Sequence, residues 1–331
     1  MGLSEGYLAR ASGAGSTTYF DREISVTDLF AAVRVARQAL DAGRSVTAEI
    51  CSRLRVYRAE FSGRMLVTGY YEPVIAASRQ RTERFKYPLY RVPPDLIELD
   101  LGQVCADCPP RKVFGRVKDY RFVPYYTRAQ IDAGALASKD CELVWLDDPI
   151  EVFFLHVQGS ATLRFEDGTE MQVSYAGSND RPYTSVGRLL VDQGKIERER
   201  ATLQGLKTYL REHPDEQATI MAANERYVFF RTVAAGPIGS AGVALTAGRS
   251  IAADRAVYPR GALTFLRIFK NAPAAGPHRQ TAFSRFMLIQ DSGVAIQGPG
   301  RIDVFWGSGD DGEIVAGDMR NAGEIFLVLP Y

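Results

Sequence analysis

Histidine is scarce in this 331-residue chain: there are three, His156, His213 and His278, and no two are neighbours. Cysteine is nearly as rare. Cys51, Cys105, Cys108 and Cys141 are too few for a disulfide scaffold at this length, although an even count permits bridges in an oxidising compartment. The "CADC" pair would be half of a zinc site, but no second C-x-x-C or histidine pair completes it. A loop staple or plain buried thiols is the better reading, and no metal or cofactor is expected. An excess of either charge is also missing. Forty basic residues face thirty-nine acidic ones, for a formal charge of +1, which excludes the electrostatic footprint of a nucleic-acid binder and any polybasic membrane patch. The partner is uncharged or mixed in charge. No run approaches the roughly 18 apolar residues of a membrane span, and the first twenty residues have neither a basic n-region nor an apolar h-region. A chain from which a signal peptide has been removed would read the same way, so location is not legible there. Nucleotide-binding glycine motifs are lacking, and "GPIGSAG" has Ile238 where a nucleophile elbow needs its first glycine.

What is present is 46% hydrophobic residues, enough for a sizeable core. Leu29, Phe30, Val33, Ala36 and Leu40 recur at helical spacing over 27–42, behind Thr27 as a possible N-cap, so an amphipathic helix packed on a sheet is expected. "GRMLVTGYYEPVIAAS" reads as a strand interrupted at Gly69 and ended near Pro73. Tyrosine and proline crowd 87–126, the composition of irregular or short-strand structure. From Ile150, "IEVFFLHVQGSATLRFEDGTEMQVSYAG" reads as two or three strands, the last pair joined at an Asp-Gly turn. Helical periodicity follows to about residue 224, with Gly194 and Pro214 as stops. From Gly236 onward, short apolar runs ("VALT", "ALTFLRIF", "RFMLIQ", "RIDVFWG", "EIFLVLP") alternate with glycine and proline turns, the pattern of a compact β-barrel. No linker divides the chain. A second domain is therefore expected as an insertion between early and late strands of one barrel, with boundaries near 75 and 233.

The stretch "QDSGVAIQGPGRIDVFWGSGDD" (290–311) holds Asp291, Asp303, Asp310 and Asp311 with no histidine or lysine. Isolated carboxyls suit sugar chemistry, where protonating a glycosidic oxygen needs an acid whose pKa is raised by burial. Asp303, flanked by Ile302, Val304, Phe305 and Trp306, has the apolar setting for this. Asp291 ends a strand and could equally be a turn former; Asp310 and Asp311 read as loop residues. Tyr70, Tyr71, Tyr125, Tyr126, Tyr175, Tyr183 and Trp306 offer flat faces for sugar rings, about half of them expected to be structural. An acid/base aspartate fully paired with an arginine would not serve.

Five segments in order, "VTGYYEP" (67–73), "VQGSATLRF" (157–165), "SYAGSNDRPYTSVGRLL" (174–190), "GRSIAADRAVYPRGAL" (248–263) and the 290–311 stretch, resemble signatures of the membrane-bound lytic murein transglycosylase A (MltA) family, the last two its C-terminal 3D segment (248–331). The resemblance implies a mainly β fold with some α: a double-psi β-barrel from 1–74 and 234–331, an inserted β-rich domain with helices at 75–233, and a glycan-holding groove between them. It implies Asp303 as the acid/base and Asp291 as its support, with Asp310 or Asp311 as the third family aspartate. Thr68, Tyr70, Tyr71, Gln158, Ser160, Tyr175, Asp310 and Asp311 become expected substrate contacts, and Asp254 and Arg255 stabilisers of the barrel. The implied reaction is non-hydrolytic cleavage of the β-1,4 bond between N-acetylmuramic acid and N-acetylglucosamine. Peptidoglycan glycan strands are the implied partner, with a cell-wall enzyme complex, a monomeric chain, and a periplasmic or outer-membrane location. Val294 departs from the family's second glycine, which leaves the role of Asp291 less defined. A two-carboxylate glycoside hydrolase, pairing Asp303 with Asp291 or Asp311, and a non-catalytic glycan binder are the alternatives.

Overall fold

A computed structural model of the chain describes residues 1–11, 17–19, 22–59, 61–105, 107–108, 111–234, 236–271, 280–317 and 319–331. His278 lies outside them. The described residues are mainly β with some helix, and form two compact units: Met1–Tyr71 with Pro237–Tyr331, and Glu72–Gly236. None of the described helices is long and apolar enough to cross a membrane.

In the first unit, one seven-stranded sheet runs in the order Leu263–Asn271, Gln280–Asp291, Ser250–Ala253, Arg301–Ser308, Met65–Glu72, Arg320–Pro330, Leu54–Arg58. Leu263–Asn271 also pairs with Arg320–Pro330, so six of the strands pair in a closed circuit. Alternation explains the register: Ile302 and Val304 are fully buried in the core with Leu263, Leu266 and Leu327, while Asp303 points to the opposite face. The expected amphipathic helix spans Val26–Asp41 and buries Leu29, Ala32, Val33 and Ala36 against this core. Its N-cap is Ser25 rather than Thr27. The Ser25 hydroxyl accepts from the Asp28 N–H and the Asp28 carboxylate accepts from the Ser25 N–H, a reciprocal pair that Thr27, two residues later and already inside the helix, does not form. Leu40 is correspondingly exposed.

Gly69 does not interrupt its strand, which continues from Met65 to Glu72. The glycine serves close approach: a Cβ there would stand 2.7 Å from Ala316 Cα and 2.9 Å from Trp306 Cδ1. "VALT" forms no strand among the described residues, only an isolated bridge from Ala244 to Ile238.

The second unit contains a six-stranded sheet and a three-stranded one, Ile97–Asp100, Lys112–Lys118 and Arg121–Pro124, drawn from the tyrosine- and proline-rich region. Ser160–Arg164 and Glu170–Ser178 form the hairpin expected at Asp167-Gly168. The preceding residues correct the sequence reading, because Pro149–Gln158 is an α-helix and not a strand. It is apolar on nearly all faces, so neither a two-residue nor a helical period shows. Local punctuation defines it instead: Asp148 caps the Ile150 N–H at 2.8 Å, Pro149 opens the first turn, and Gly159 closes it in the left-handed region at φ 83°. Helices Val186–Asp192, Leu203–Glu212 and Pro214–Ala222 follow, Pro214 starting the last of them rather than ending its predecessor. Inside this unit Arg128 is 2% exposed, lies over the Phe153 and Tyr227 rings, and donates to the Asn224 and Arg226 carbonyls and to His156 Nδ1.

Candidate active site

Strand pairing builds the site. Ala252 is the register partner of Asp303 on one neighbouring strand and of Asp291 on the other. The two aspartates therefore flank Ala252 in one row and leave the same face, with Cα atoms two strand spacings, or about 9–10 Å, apart. Thr68 and Tyr70 come from the strand on the other side of Asp303, alternating with Gly69, whose face is filled by Ala316 and Trp306.

The two carboxyls live differently. Asp291 has both oxygens engaged: Oδ1 accepts from the Ser240 and Ser292 backbone N–H groups, each at 2.8 Å, and Oδ2 from the Tyr70 hydroxyl at 2.9 Å. Burial nevertheless raises its pKa above the ordinary aspartate value, against these hydrogen bonds. Beside it, desolvation first and Asp291 second push the Tyr70 phenol well above its usual value, so the hydroxyl stays a donor.

Asp303 is 16% exposed at its side chain. Everything that holds it converges on Oδ1, which accepts from the Thr68 hydroxyl and, at 3.2 Å, from Arg301 Nε. Oδ2 has no hydrogen-bond partner among the described residues and is not one of the sealed, unpartnered polar atoms, so it keeps access to solvent. An arginine is therefore present, but it makes a single contact to one oxygen rather than a bidentate pair. Desolvation outweighs it: the carboxyl pKa is raised, with the Arg301 charge and the Thr68 hydrogen bond pulling the other way. This is an acid with one anchored oxygen and one available oxygen.

Several expected contacts take other places. The Thr68 and Tyr70 hydroxyls are spent on Asp303 and Asp291 and not held out for a ligand. Tyr71 is 2% exposed, which leaves its ring no free face for a sugar. Asp310 and Asp311 are exposed, but in the first turn of the helix Gly309–Gly317 rather than in a loop; the Gly-Asp-Asp-Gly composition hid a helix whose N-terminus favours acidic residues. In the second unit, Gln158 ends a helix and Ser160 begins the strand after it, both half-buried. Tyr175, 46% exposed, is tied to the same turn by its N–H to the Gly159 carbonyl at 2.8 Å, so these three are neighbours. Trp306 is a packing residue: its indole N–H donates to Met319 Sδ and its ring lies 5.9 Å from Phe283. Tyr125 is fully buried, with its hydroxyl on Asp95. Asp254 spends both oxygens on backbone, Oδ1 on the Ala256 N–H and Oδ2 on the Gly298 N–H. Val294 is exposed in its turn and leaves the Asp291 contacts intact.

Sequence reasoning missed Arg301 and Ser240. Arg301 sits two residues before Asp303, a spacing that puts both on one face of a strand and could have revealed it. Ser240 acts through its backbone, in the glycine-rich "GPIGSAG" segment whose spacing fits no nucleophile elbow.

Known proteins place this arrangement in a class. Residues 66–231 match the MltA specific insert domain and residues 249–329 match the 3D domain. The chain belongs to the membrane-bound lytic murein transglycosylase A family. It is 30% identical over 272 residues to membrane-bound lytic murein transglycosylase A of Vibrio cholerae, a match spanning 80% of this chain and 65% of that relative's length. Its fold is similar to the crystal structure of a membrane-bound lytic murein transglycosylase from Agrobacterium tumefaciens, with TM-score 0.85, 30% identity, and coverage of 99% of this chain and 91% of the other. Escherichia coli MltA solved with bound chitohexaose is likewise similar, at TM-score 0.71 and 26% identity over 92% of this chain and 83% of that one.

Proposed function

We propose that this chain is a peptidoglycan lytic transglycosylase that uses Asp303 as its single acid/base, cleaving between N-acetylmuramic acid and N-acetylglucosamine without water. The carrying observation is the asymmetry of the Asp303 carboxyl: a desolvated acid, fixed through Oδ1, with Oδ2 open to carry the proton. In the first half of the reaction Oδ2–H protonates the glycosidic oxygen as the C1–O bond of the muramic ring breaks. In the second, the muramic C6 hydroxyl oxygen bonds to C1 and its proton returns to Oδ2, which restores the acid and leaves a 1,6-anhydro end. The tethered hydroxyl takes the place of the second carboxylate that hydrolases require.

Asp291 supports the site by fixing Tyr70. Its engaged oxygens disfavour the alternative of a two-carboxylate hydrolase, in which it would have to activate water. A relative that holds chitohexaose supports a glycan as ligand, and we place Gln158, Ser160 and Tyr175 among its further contacts. The closed strand circuit supports the double-psi barrel expected of the family. The relatives' names support a position at the outer membrane or in the periplasm. Mass spectrometry of digested peptidoglycan tests the reaction: anhydro ends are expected, and reducing muramic ends, about 18 Da heavier, would instead indicate hydrolysis. Asp303→Asn is expected to bind glycan and cleave none; a wild type without lytic activity would leave only the glycan-binding reading.

A further inference from the structure

Arg301 has no part in the proton transfers above, yet it is built into the group that performs them. It precedes Asp303 by two residues on one strand, so both side chains leave the same face. Its guanidinium reaches two ways: Nε donates to Asp303 Oδ1 at 3.2 Å, and Nη2 donates to Thr68 Oγ1 at 2.9 Å. Thr68, its oxygen already occupied by Arg301, turns its single proton onto Asp303 Oδ1. The contacts form a closed triangle.

We infer that Arg301 is the positioning residue of this site: with Thr68 it pins Asp303 Oδ1, reserves Oδ2 for the transferable proton, and supplies the fixed charge that lets the buried carboxyl act in both directions. This rests on reading Asp303 as the acid/base. Each half of the reaction needs something different. An isolated buried carboxyl would be a strong base once ionised but would hold its proton too firmly to be a ready donor. A fully paired one would never carry the proton. A single guanidinium contact on the oxygen not used for transfer lies between these limits.

Other groups near Asp303 do not duplicate this charge. The facing strand brings Thr68 and Tyr70, the latter bonded to Asp291; the Ser250–Ala253 strand brings the uncharged Ala252; Arg320, the register partner of Thr68 on the last strand, is exposed. Arg301 is the charge that acts against desolvation at Asp303.

Two substitutions separate charge from geometry. Lysine keeps the charge and loses the planar fork that serves two acceptors; glutamine loses the charge. On glycan strands, the kcat/KM profile should fall as pH rises through the Asp303 pKa, because the resting enzyme must be protonated. Without the charge that pKa rises, so the high-pH limb of Arg301→Gln should move upward, and the carboxyl carbon-13 resonance of Asp303, assigned by its loss in Asp303→Asn, should titrate at higher pH. Arg301→Lys should keep the limb in place while kcat falls on the order of a hundredfold, the cost of a misplaced catalytic group. Equal loss in both variants, with limb and resonance unmoved, would reduce Arg301 to a structural residue and leave the Asp303 reading intact. Lytic activity in Asp303→Asn would instead sink that reading itself. Should Arg301→Gln not fold, Thr68→Val interrogates the same brace: a lowered kcat and an upward limb are expected, and a wild-type profile would overturn the inference.

Discussion

Replacing Gly69 by alanine adds one methyl group at the point where the site strand meets the helix behind it. The new Cβ would lie 2.7 Å from Ala316 Cα, 2.9 Å from Trp306 Cδ1 and 3.0 Å from Ala316 Cβ, against an ordinary carbon–carbon contact of about 3.5–4.0 Å. The obstacle is backbone and an indole ring, neither of which swings aside. Overpacking of this kind costs about 1–3 kcal/mol, offset by up to about 1 kcal/mol from the stiffer unfolded chain, so a net loss of about 1–2 kcal/mol is expected. For a unit of this size each kcal/mol moves the midpoint by about 2–4 °C, giving a fall of roughly 2–8 °C. Trp145 and Trp306 are the two tryptophans, one in each unit, so thermal melts followed by fluorescence in a Trp145→Phe background report on the first unit alone. Glycan cleavage should fall as well, since Thr68 and Tyr70 flank the displaced residue. Gly69→Ala/Ala316→Gly should recover part of the loss, because it removes one of the three close contacts. An unchanged midpoint with full activity in Gly69→Ala would refute the close-approach argument and restore the reading of Gly69 as a simple strand breaker.

Asp303→Asn should stabilise the protein near neutral pH while abolishing lysis. A carboxyl whose folded pKa is raised contributes most below its unfolded pKa and loses that contribution as pH rises through the folded value, so the variant's advantage should appear on the alkaline side and fade in acid. Denaturant midpoints of both proteins across pH check this; an advantage that grows toward acid would contradict the sign. In the second unit, Arg128→Leu should cost 3 kcal/mol or more, on the order of 1–3 kcal/mol for each buried acceptor left unpaired, at the Asn224 and Arg226 carbonyls and His156. The Trp145 fluorescence melt should drop while Trp306 reports little change, and a loss under about 1 kcal/mol would show that water replaces the guanidinium.

Local signals carried the sequence reading where they were strong. The alternation in "RIDVFWG" gave Asp303 its apolar flanks and set it opposite Ile302 and Val304. "FEDGTE" fixed a hairpin, and the leucine and valine spacing after Ser25 fixed a helix. The same reading failed where those signals fell silent: Pro149–Gln158 is apolar all round and shows no period, and "GDDG" looks like a loop although it opens a helix. Position along the chain and periods of two or 3.6 residues are short-range properties, and they determined which residues are acidic, which are sheltered by their neighbours, and where strands run. They say nothing of partners. Thr68 meets Asp303 across 235 positions and Tyr70 meets Asp291 across 221, and only the pairing of distant strands decided that Thr68 joins Arg301, a neighbour on the same strand, on one carboxyl oxygen while the other stays open. Desolvation made Asp303 an acid. The order of strands around it, a consequence of long-range packing and not of any local pattern, brought Thr68 to one of its two oxygens and left the other open.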